Sequence, residues 1–414
     1  MENERIRNVI RVGSRKSELA LIQTNYVIDS LKKVYPDKEF TLVTMTTLGD
    51  RILDVSLPKI GEKSLFTKDL EDALRNNTVD FVVHSLKDLP TTLPDGLAIG
   101  AVFEREDPRD ALVVREDIKE TTLADLPEGS VIGTSSLRRT AQLKGSYPQL
   151  KVVDVRGNLN TRLRKLDDPT TEYSALLLAH AGLQRMGWGH RVTKVLPCSE
   201  MMYAVGQGAL AVECRADNEE ILEMLAPYNH VETYCRILAE RSFLKTLGGG
   251  CSAPVGVSTK LKKLETNFSL TISGGVWSLD GDTRIDHTLE QTFEQIKKTQ
   301  KHKLSPTEDG SHKKIKVDET RADKNYNPLE EMDKMLKEGR GNLSCVDTRS
   351  PEEIKALSEN IFCGLTENKS IPLDVIQKCD SLGRDLANEL ISKGALEVMK
   401  VSQDIIRSST AVRS

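Results

Sequence analysis

The chain has 414 residues, of which 38% are hydrophobic and 29% charged, and this length predicts two or three globular domains. The net charge of −4 argues against a nucleic-acid partner. No apolar stretch is long enough to span a membrane, and the charged N-terminal segment lacks the apolar core of a secretory signal. The seven cysteines form no CxxC pair, so the sequence predicts neither a metal site nor a disulfide framework. A cytoplasmic protein is expected.

A strand–turn–helix unit occurs twice along the chain. Residues 8–36 (NVIRVGSRKSELALIQTNYVIDSLKKVYP) combine an apolar strand, a turn at Gly13 and Ser14, and a helix for which Ser17 is a good N-cap. Residues 130–148 repeat this order, and the apolar runs 78–90 and 172–187 form a second related pair. These repeats predict an α/β fold with two similar lobes around a cleft, each lobe on a mostly parallel sheet.

The next elements lead to a glycine-rich loop. Residues 202–215 (MYAVGQGALAVECR) are predicted to return the chain from the second lobe to the first. Gly206 and Gly208, on either side of Gln207, predict a hinge between the lobes. A helical pattern over 231–247 then runs into the loop 247–256 (LGGGCSAPVG), which presents Cys251. The loop alone favours equally a bystander cysteine in a turn and a thiol held out for chemistry.

Residues 294–345 carry many charges of both signs and few large apolar side chains. Such a composition predicts a disordered insertion, over about 294–360, in a third domain. A basic interaction tail is the alternative, and the mixed signs disfavour it.

Basic side chains follow the predicted strands of both lobes. Each one taken singly is more simply a solvated residue on a helix face, but their recurrence at equivalent places predicts a common anionic ligand. Arginine is permanently charged, and its planar fork matches carboxylates and phosphates. No P-loop or GxGxxG motif is present, which argues against a nucleotide. The basic residues are Arg15, Lys16, Lys87, Arg138, Arg139, Arg156, Arg162, Arg164 and Arg185.

Two further residues end the strand in the segment HSLKDLP. Asp88 is either an ordinary ion-pair partner of Lys87 or a carboxylate that stabilises positive charge or moves a proton. His84 is interpreted as a buried structural histidine, because no Ser/Cys–His–Asp set can be argued from the sequence.

Taken together, these motifs resemble the porphobilinogen deaminase (hydroxymethylbilane synthase) family of haem biosynthesis. The resemblance covers about residues 6–290 and returns weakly over the last fifty. The segment GGVWSLDG (274–281) is similar to the animal form. The motifs are, in order, RVGSRKSELALIQT, KIGEKSLFTKDLE, VVHSLKDLPT, EREDPRDA, GTSSLRR, RGNLNTRLRKL, AGLQRMG, YAVGQGAL and GGCSAP.

The resemblance implies a transferase that joins four porphobilinogen molecules head to tail with release of ammonia, giving hydroxymethylbilane. It implies a dipyrromethane cofactor held by a thioether to Cys251, with Asp88 as the main catalytic residue. Arg15, Ser17, Gln23 and Arg185 are implied to bind substrate. The implied cofactor-binding residues are Lys87, Ser135, Ser136, Arg138, Arg139, Arg156, Arg162 and Gln207.

The family fold implies three α/β domains, of which the first two resemble the lobes of periplasmic binding proteins. Domain 1 would comprise 1–105 with 206–225, domain 2 would comprise 106–205, and the smaller domain 3, with the cofactor loop 247–256, would comprise 226–414. A cytoplasmic monomer is expected, acting on a small molecule, with no nucleic-acid, membrane or metal partner.

Two features depart from the family pattern. Gly248 stands where the family has an acidic residue, and the third domain is unusually long. The rival hypothesis is a two-lobed anion- or solute-binding module without catalysis. It explains the repeat and the arginines but not the Cys251 loop.

Overall fold

The computed structural model describes residues 8–47, 49, 66–119, 121–248, 254–264, 267–294 and 362–411. Cys251 and the charged insertion lie outside the described residues. Within these ranges the chain forms three β-sheets, each covered by helices.

The first sheet has five strands with a core on each face. Alternate side chains point to opposite faces of a strand. Ile10, Val12 and Phe81 therefore join one buried cluster, whereas Val82 and Leu97 join another. The strand order is β2 (Glu39–Met45), β1 (Val9–Arg15), β3 (Phe81–Ser85), β10 (Leu210–Arg215) and β4 (Leu97–Val102). The helices are α1 (Glu18–Val34), α2 (Lys68–Arg75) and α6 (Glu219–Leu225).

The second sheet also has five strands and two buried faces. Leu112 and Leu177 lie in one cluster, and Val113 and Leu178 lie in the other. The strand order is β7 (Lys151–Val153), β6 (Val131–Gly133), β8 (Tyr173–Ala179), β5 (Asp110–Val114) and β9 (Lys194–Val195). The helices are α3 (Leu137–Ser146), α4 (Leu159–Asp167) and α5 (His180–Arg185).

The strand orders confirm the predicted repeat. Strands β1 and β6 take the second place in their sheets, and β3 and β8 take the third. The prediction of mostly parallel sheets is confirmed, because four of the five strands in each sheet run in the same direction. In each sheet the first three strands are parallel, but the fourth pairs antiparallel with both neighbours. The reason is the connectivity: the fourth strand follows a crossing from the other sheet, as β5 after β4 and β10 after β9.

The third sheet is an antiparallel meander of β11 (Val255–Lys263), β12 (Asn267–Trp277) and β13 (Arg284–Glu294). It packs against α7 (Val231–Thr246), which the sequence predicted, and against α8 (Leu373–Ser392) and α9 (Ala395–Ala411). A Cβ atom at Gly383 would collide with the Ala239 carbonyl oxygen, so glycine allows α7 and α8 to approach closely. In the described part of the chain, no helix is both long and apolar enough to cross a bilayer.

Candidate active site

A cavity of about 350 Å³ lies where the strands of the first two sheets end, with walls from both lobes. Strands β1, β3 and β8 end at it, and helices α1, α3 and α4 begin near it. Carboxyl ends of parallel strands share one edge of a sheet, which is why motifs far apart in sequence meet there. Predicted site residues in its wall are Arg15, Ser17, Gln23, Lys87, Asp88, Ser135, Arg139, Arg156, Arg162 and Arg185.

The first lobe supplies a polar and an aromatic wall. Gln23 is buried in α1, and its Nε2 donates to Ser85 Oγ at 3.1 Å. The Arg15 guanidinium lies over the Phe66 ring, 4.4 Å from its centroid. Ser17 precedes α1 as predicted, but its side chain makes no capping hydrogen bond.

Lys87 and Asp88 lie in a short 3₁₀ turn directly after β3. Burial lowers the pKa of Lys87 to about 8, and the positive charges of Arg139 and Arg138 add to this, against the opposing effect of Asp88. This part of the wall therefore combines the Asp88 carboxylate with an ammonium group whose pKa is lowered to about 8.

Arg139 lies in the first turn of α3 and is 6% exposed. Its Nη1 donates to the Leu177 carbonyl at 2.8 Å, and its Nη2 donates to Asp110 Oδ1 at 2.7 Å. Its Nε is buried and has no hydrogen-bond partner in the described structure. Arg138 Nε is likewise buried without a hydrogen-bond partner in the described residues.

Arg162 and Arg185 line other parts of the cavity, and each donates to a backbone carbonyl. Arg162 Nε donates to the Gly157 carbonyl at 2.8 Å, and burial, with Arg139 and Arg156 nearby, lowers the pKa of Arg162 to about 10. Arg185 donates to Glu106 Oε1 at 2.9 Å and to the Gly208 carbonyl at 2.7 Å, which joins α5 to the segment entering β10.

Ser136, Arg138 and Gln207 are absent from the lining of this cavity. Arg138 is 5% exposed and donates to Asp110 Oδ2 at 2.7 Å and to the Met202 carbonyl at 2.6 Å. Gln207 donates to Asp110 Oδ1 at 2.8 Å from a turn in which Gly206 and Gly208 have φ of +77° and +85°. The predicted cofactor-binding role of these three residues stays a prediction.

Sequence reasoning missed Asp110, although it lies within the motif EREDPRDA. It is fully buried at the start of β5 and accepts from Arg138, Arg139 and Gln207. Arg138 and Arg139 hold the pKa of its carboxyl well below the usual range, against the effect of burial. A signal was available: an aspartate opens the otherwise apolar strand DALVV. Other lining residues that were missed include Phe66, Ser85, Asn158 and Asn160.

His84 is buried, with its Nε2 2.9 Å from Glu213 Oε2, as the structural interpretation predicted. The predicted attachment residue Cys251 lies outside the described residues. The elements flanking its loop are described: α7 ends at Thr246 and β11 begins at Val255. Gly248 continues from the helix end with φ +64°, a conformation that glycine adopts without strain. In the described ranges no group of three or more His, Cys, Asp or Glu side chains is arranged to hold a metal ion.

Two family models match the chain. Residues 10–223 match the model described as "Porphobilinogen deaminase, dipyromethane cofactor binding domain", and residues 234–304 match "Porphobilinogen deaminase, C-terminal domain". The chain belongs to the porphobilinogen deaminase family. Among curated relatives, the porphobilinogen deaminase of Synechococcus elongatus is 57% identical over 66% of this chain and 83% of its own length. That of a Nostoc species is 54% identical over 68% of this chain and 86% of its own length.

Membership of the porphobilinogen deaminase family favours the enzyme over the rival binding module, because its larger matched model is a cofactor-binding domain. The relatives named here are cyanobacterial, so they give the expected likeness to the animal form no support. A periplasmic aliphatic sulphonate binding protein from Escherichia coli also overlaps with 59% of this chain and 76% of its own, at 14% identity. With a TM-score of 0.30, that overlap carries no argument about the fold.

Proposed function

We propose that this chain acts as a hydroxymethylbilane synthase. It joins four porphobilinogen molecules head to tail, with release of ammonia, on a primer formed by a dipyrromethane bonded to Cys251. The proposal rests on the cavity, which Asp88 lines together with several arginines. It also rests on the chain's membership of the porphobilinogen deaminase family.

The cavity residues fit such a primer. Each pyrrole of porphobilinogen carries an acetate and a propionate, so a dipyrromethane brings four carboxylates. Arg139 lies in the cavity wall, where its guanidinium supplies positive charge for these carboxylates. Arg156 and Arg162 come from a different element and add two further guanidinium groups. The cofactor supplies the growing end of the chain when it is bound.

Asp88 is the proposed catalytic residue. Loss of ammonia from porphobilinogen leaves a cation, and a fixed carboxylate in a partly enclosed site stabilises developing positive charge more strongly than water does. The same carboxylate can move a proton at the pyrrole nitrogen. Arg15, Ser17, Gln23 and Arg185 surround the same space and would orient the carboxylates of the incoming substrate.

The organisation of the enzyme is proposed on the same grounds. The predicted domain limits, 1–105 with 206–225, 106–205, and 226–414, agree in outline with the division of strands among three sheets. The enzyme is proposed to be a cytoplasmic monomer, and the net charge of −4 argues against a nucleic-acid partner.

The test combines intact mass with ammonia release. We expect the purified chain to be heavier than its sequence by two porphobilinogen molecules less two ammonia, and to release ammonia from porphobilinogen. Cys251→Ser should have the bare sequence mass and no turnover, because it cannot form the thioether. A wild-type mass equal to the sequence, without ammonia release, would favour the binding module.

A further inference from the structure

Asp110 lies at a junction between the segments that build the cavity. It opens β5, where it pairs in register with Ala179 at the end of β8. Its two oxygens are shared: Oδ2 accepts from Arg138, whereas Oδ1 accepts from Arg139 and from Gln207, all at 2.7–2.8 Å. The residue itself is fully buried and is absent from the cavity lining.

The Asp110 carboxylate lies between two buried arginines and balances part of their positive charge. Arg138 and Arg139 are consecutive, almost fully buried and of like charge, and each lowers the stability of the other's charged form. One carboxylate between them balances part of this charge and gives each guanidinium a separate oxygen. Buried charges require such pairing.

The same contact fixes the orientation of the Arg139 guanidinium, which belongs to a residue of the cavity wall. With Nη1 on the Leu177 carbonyl and Nη2 on Asp110, the Arg139 guanidinium plane is anchored at two points. Its Nε is left without a partner in the described structure. Through Gln207, Asp110 also supports the turn whose Gly208 carbonyl accepts from Arg185. One buried side chain thus braces two arginines of the cavity wall, one directly and one through a turn.

We propose that Asp110 is a positioning residue for the reaction: it holds the Arg139 guanidinium and the 206–208 turn in the geometry that binds the carboxylates of primer and substrate. The inference rests on the proposed function. It differs from a simple structural role in that the length of the Asp110 side chain matters as well as its charge.

Asp80 provides a matched control in the first lobe. It is also a buried aspartate between two arginines, with Arg11 Nη2 at 2.9 Å and Arg215 Nη2 at 3.8 Å. Neither Asp80 nor its two arginines line the cavity. Substitutions at both positions disturb a buried aspartate paired with two arginines, whose side chains are 30% and 17% exposed at Asp80 and 5% and 7% exposed at Asp110. Only those at Asp110 disturb support for the site.

The experiment compares Asp110→Glu and Asp110→Asn with Asp80→Glu and Asp80→Asn. Melting temperature, intact mass and the steady-state kinetics of ammonia release are measured for all four and for wild type. Asp110→Glu keeps the charge and moves the anchoring oxygens by one methylene. We expect it to stay folded and to lose about tenfold or more in kcat/KM, mainly through a higher KM, because displacing a binding group by about 1 Å has effects of this order.

We further expect Asp110→Asn to show a reduced fraction of molecules with the cofactor mass. Asp80→Glu and Asp80→Asn should stay within about twofold of wild type in kcat/KM, whatever their melting temperatures. If Asp110→Glu has wild-type kinetics, or fails to fold while Asp80→Glu folds, Asp110 is structural and the inference is wrong. If wild type itself releases no ammonia and has the bare sequence mass, the proposed function fails instead.

Discussion

At the residue level, Asp88 is the proposed catalytic side chain, and the first lobe places it in the cavity wall. We expect Asp88→Ala to keep the fold and to reduce ammonia release by about 10²–10³, because it removes a fixed charge opposite a developing one. The measurement is the initial rate of ammonia release beside a melting curve. Asp95→Ala, at an exposed aspartate of the same lobe, is the control and should retain full activity. A rate for Asp88→Ala within a few-fold of wild type would remove Asp88 from the mechanism.

We expect Lys87 to make the affinity of the site for its anionic ligand depend on pH. Since burial lowers the pKa of Lys87 to about 8, the free enzyme loses one positive charge from the cavity wall as the pH rises through 8. We expect kcat/KM for the anionic substrate to fall above that pH. Lys87→Arg should keep its charge and remove this step from the profile. A wild-type profile that is flat from pH 7 to 9 would contradict the assignment.

The lowered pKa has the opposite effect on stability. Between about pH 8 and the usual lysine value of about 10.4, the unfolded chain binds more protons at this residue than the folded chain. The contribution of Lys87 to folding stability therefore rises with pH in this window, while its contribution to binding decreases.

At the scale of elements, helix α3 is fixed at both ends. Its first turn carries Arg138 and Arg139, and its last turn packs against the β12–β13 hairpin through Gly145 and Gly281. A Cβ at Gly281 would collide with backbone atoms of Gly145 and Ala141, and Gly281 has φ +85°. The hairpin and the arginine helix can approach this closely because both residues lack side chains.

We expect Gly281→Ala to lower the free energy of unfolding by about 2–4 kcal/mol, combining backbone strain with a clash against main-chain atoms. Urea unfolding gives the value. Gly129→Ala is the matched control, because Gly129 has φ +81° and nothing within 4 Å of the added Cβ. It should lose only about 1–2 kcal/mol from strain. Equal losses in the two variants would show that the close contact contributes nothing.

For the molecule as a whole, we expect the cofactor's carboxylates to stabilise the fold by balancing the arginines that the second lobe places in the cavity wall. Without its four carboxylates, Arg139, Arg156 and Arg162 share one cavity with less negative charge to balance them. We expect Cys251→Ser to melt several degrees below wild type, and sulfate to recover part of the difference by occupying the arginines. Melting curves with and without sulfate test this. Coincident curves for the two proteins would contradict it.

The charged insertion is expected to be dispensable for chemistry. Its composition cannot bury enough apolar surface to form a core of its own, which is the argument for predicted disorder. We expect deletion of about residues 296–340 to leave turnover per folded molecule nearly unchanged. Active-site titration by intact mass, followed by ammonia release, makes this measurement. A large loss in a well-folded variant would show that the segment contributes to the site.

Sequence patterns were enough to predict the repeat, the α/β class and ten of the residues that line the cavity. Apolar runs and helical periodicity mark the elements, and the ends of parallel strands share one edge. Arg15, Lys87, Asp88 and Arg139 could therefore be placed together without a structure. The helix after Ser17 and helix α7 followed from the same local patterns.

The pairing of the buried charges and the direction of the fourth strand in each sheet could be learned only from the three-dimensional structure. Arg138 donates to Asp110 across a sequence separation of 28 residues, and Gln207 donates to it across 97 residues. The antiparallel fourth strand of each sheet likewise depends on where the chain crosses between lobes. Local patterns record the faces and periods of elements, whereas these pairings join distant segments. They arise when packing brings the segments together and burial requires each charge to have a partner.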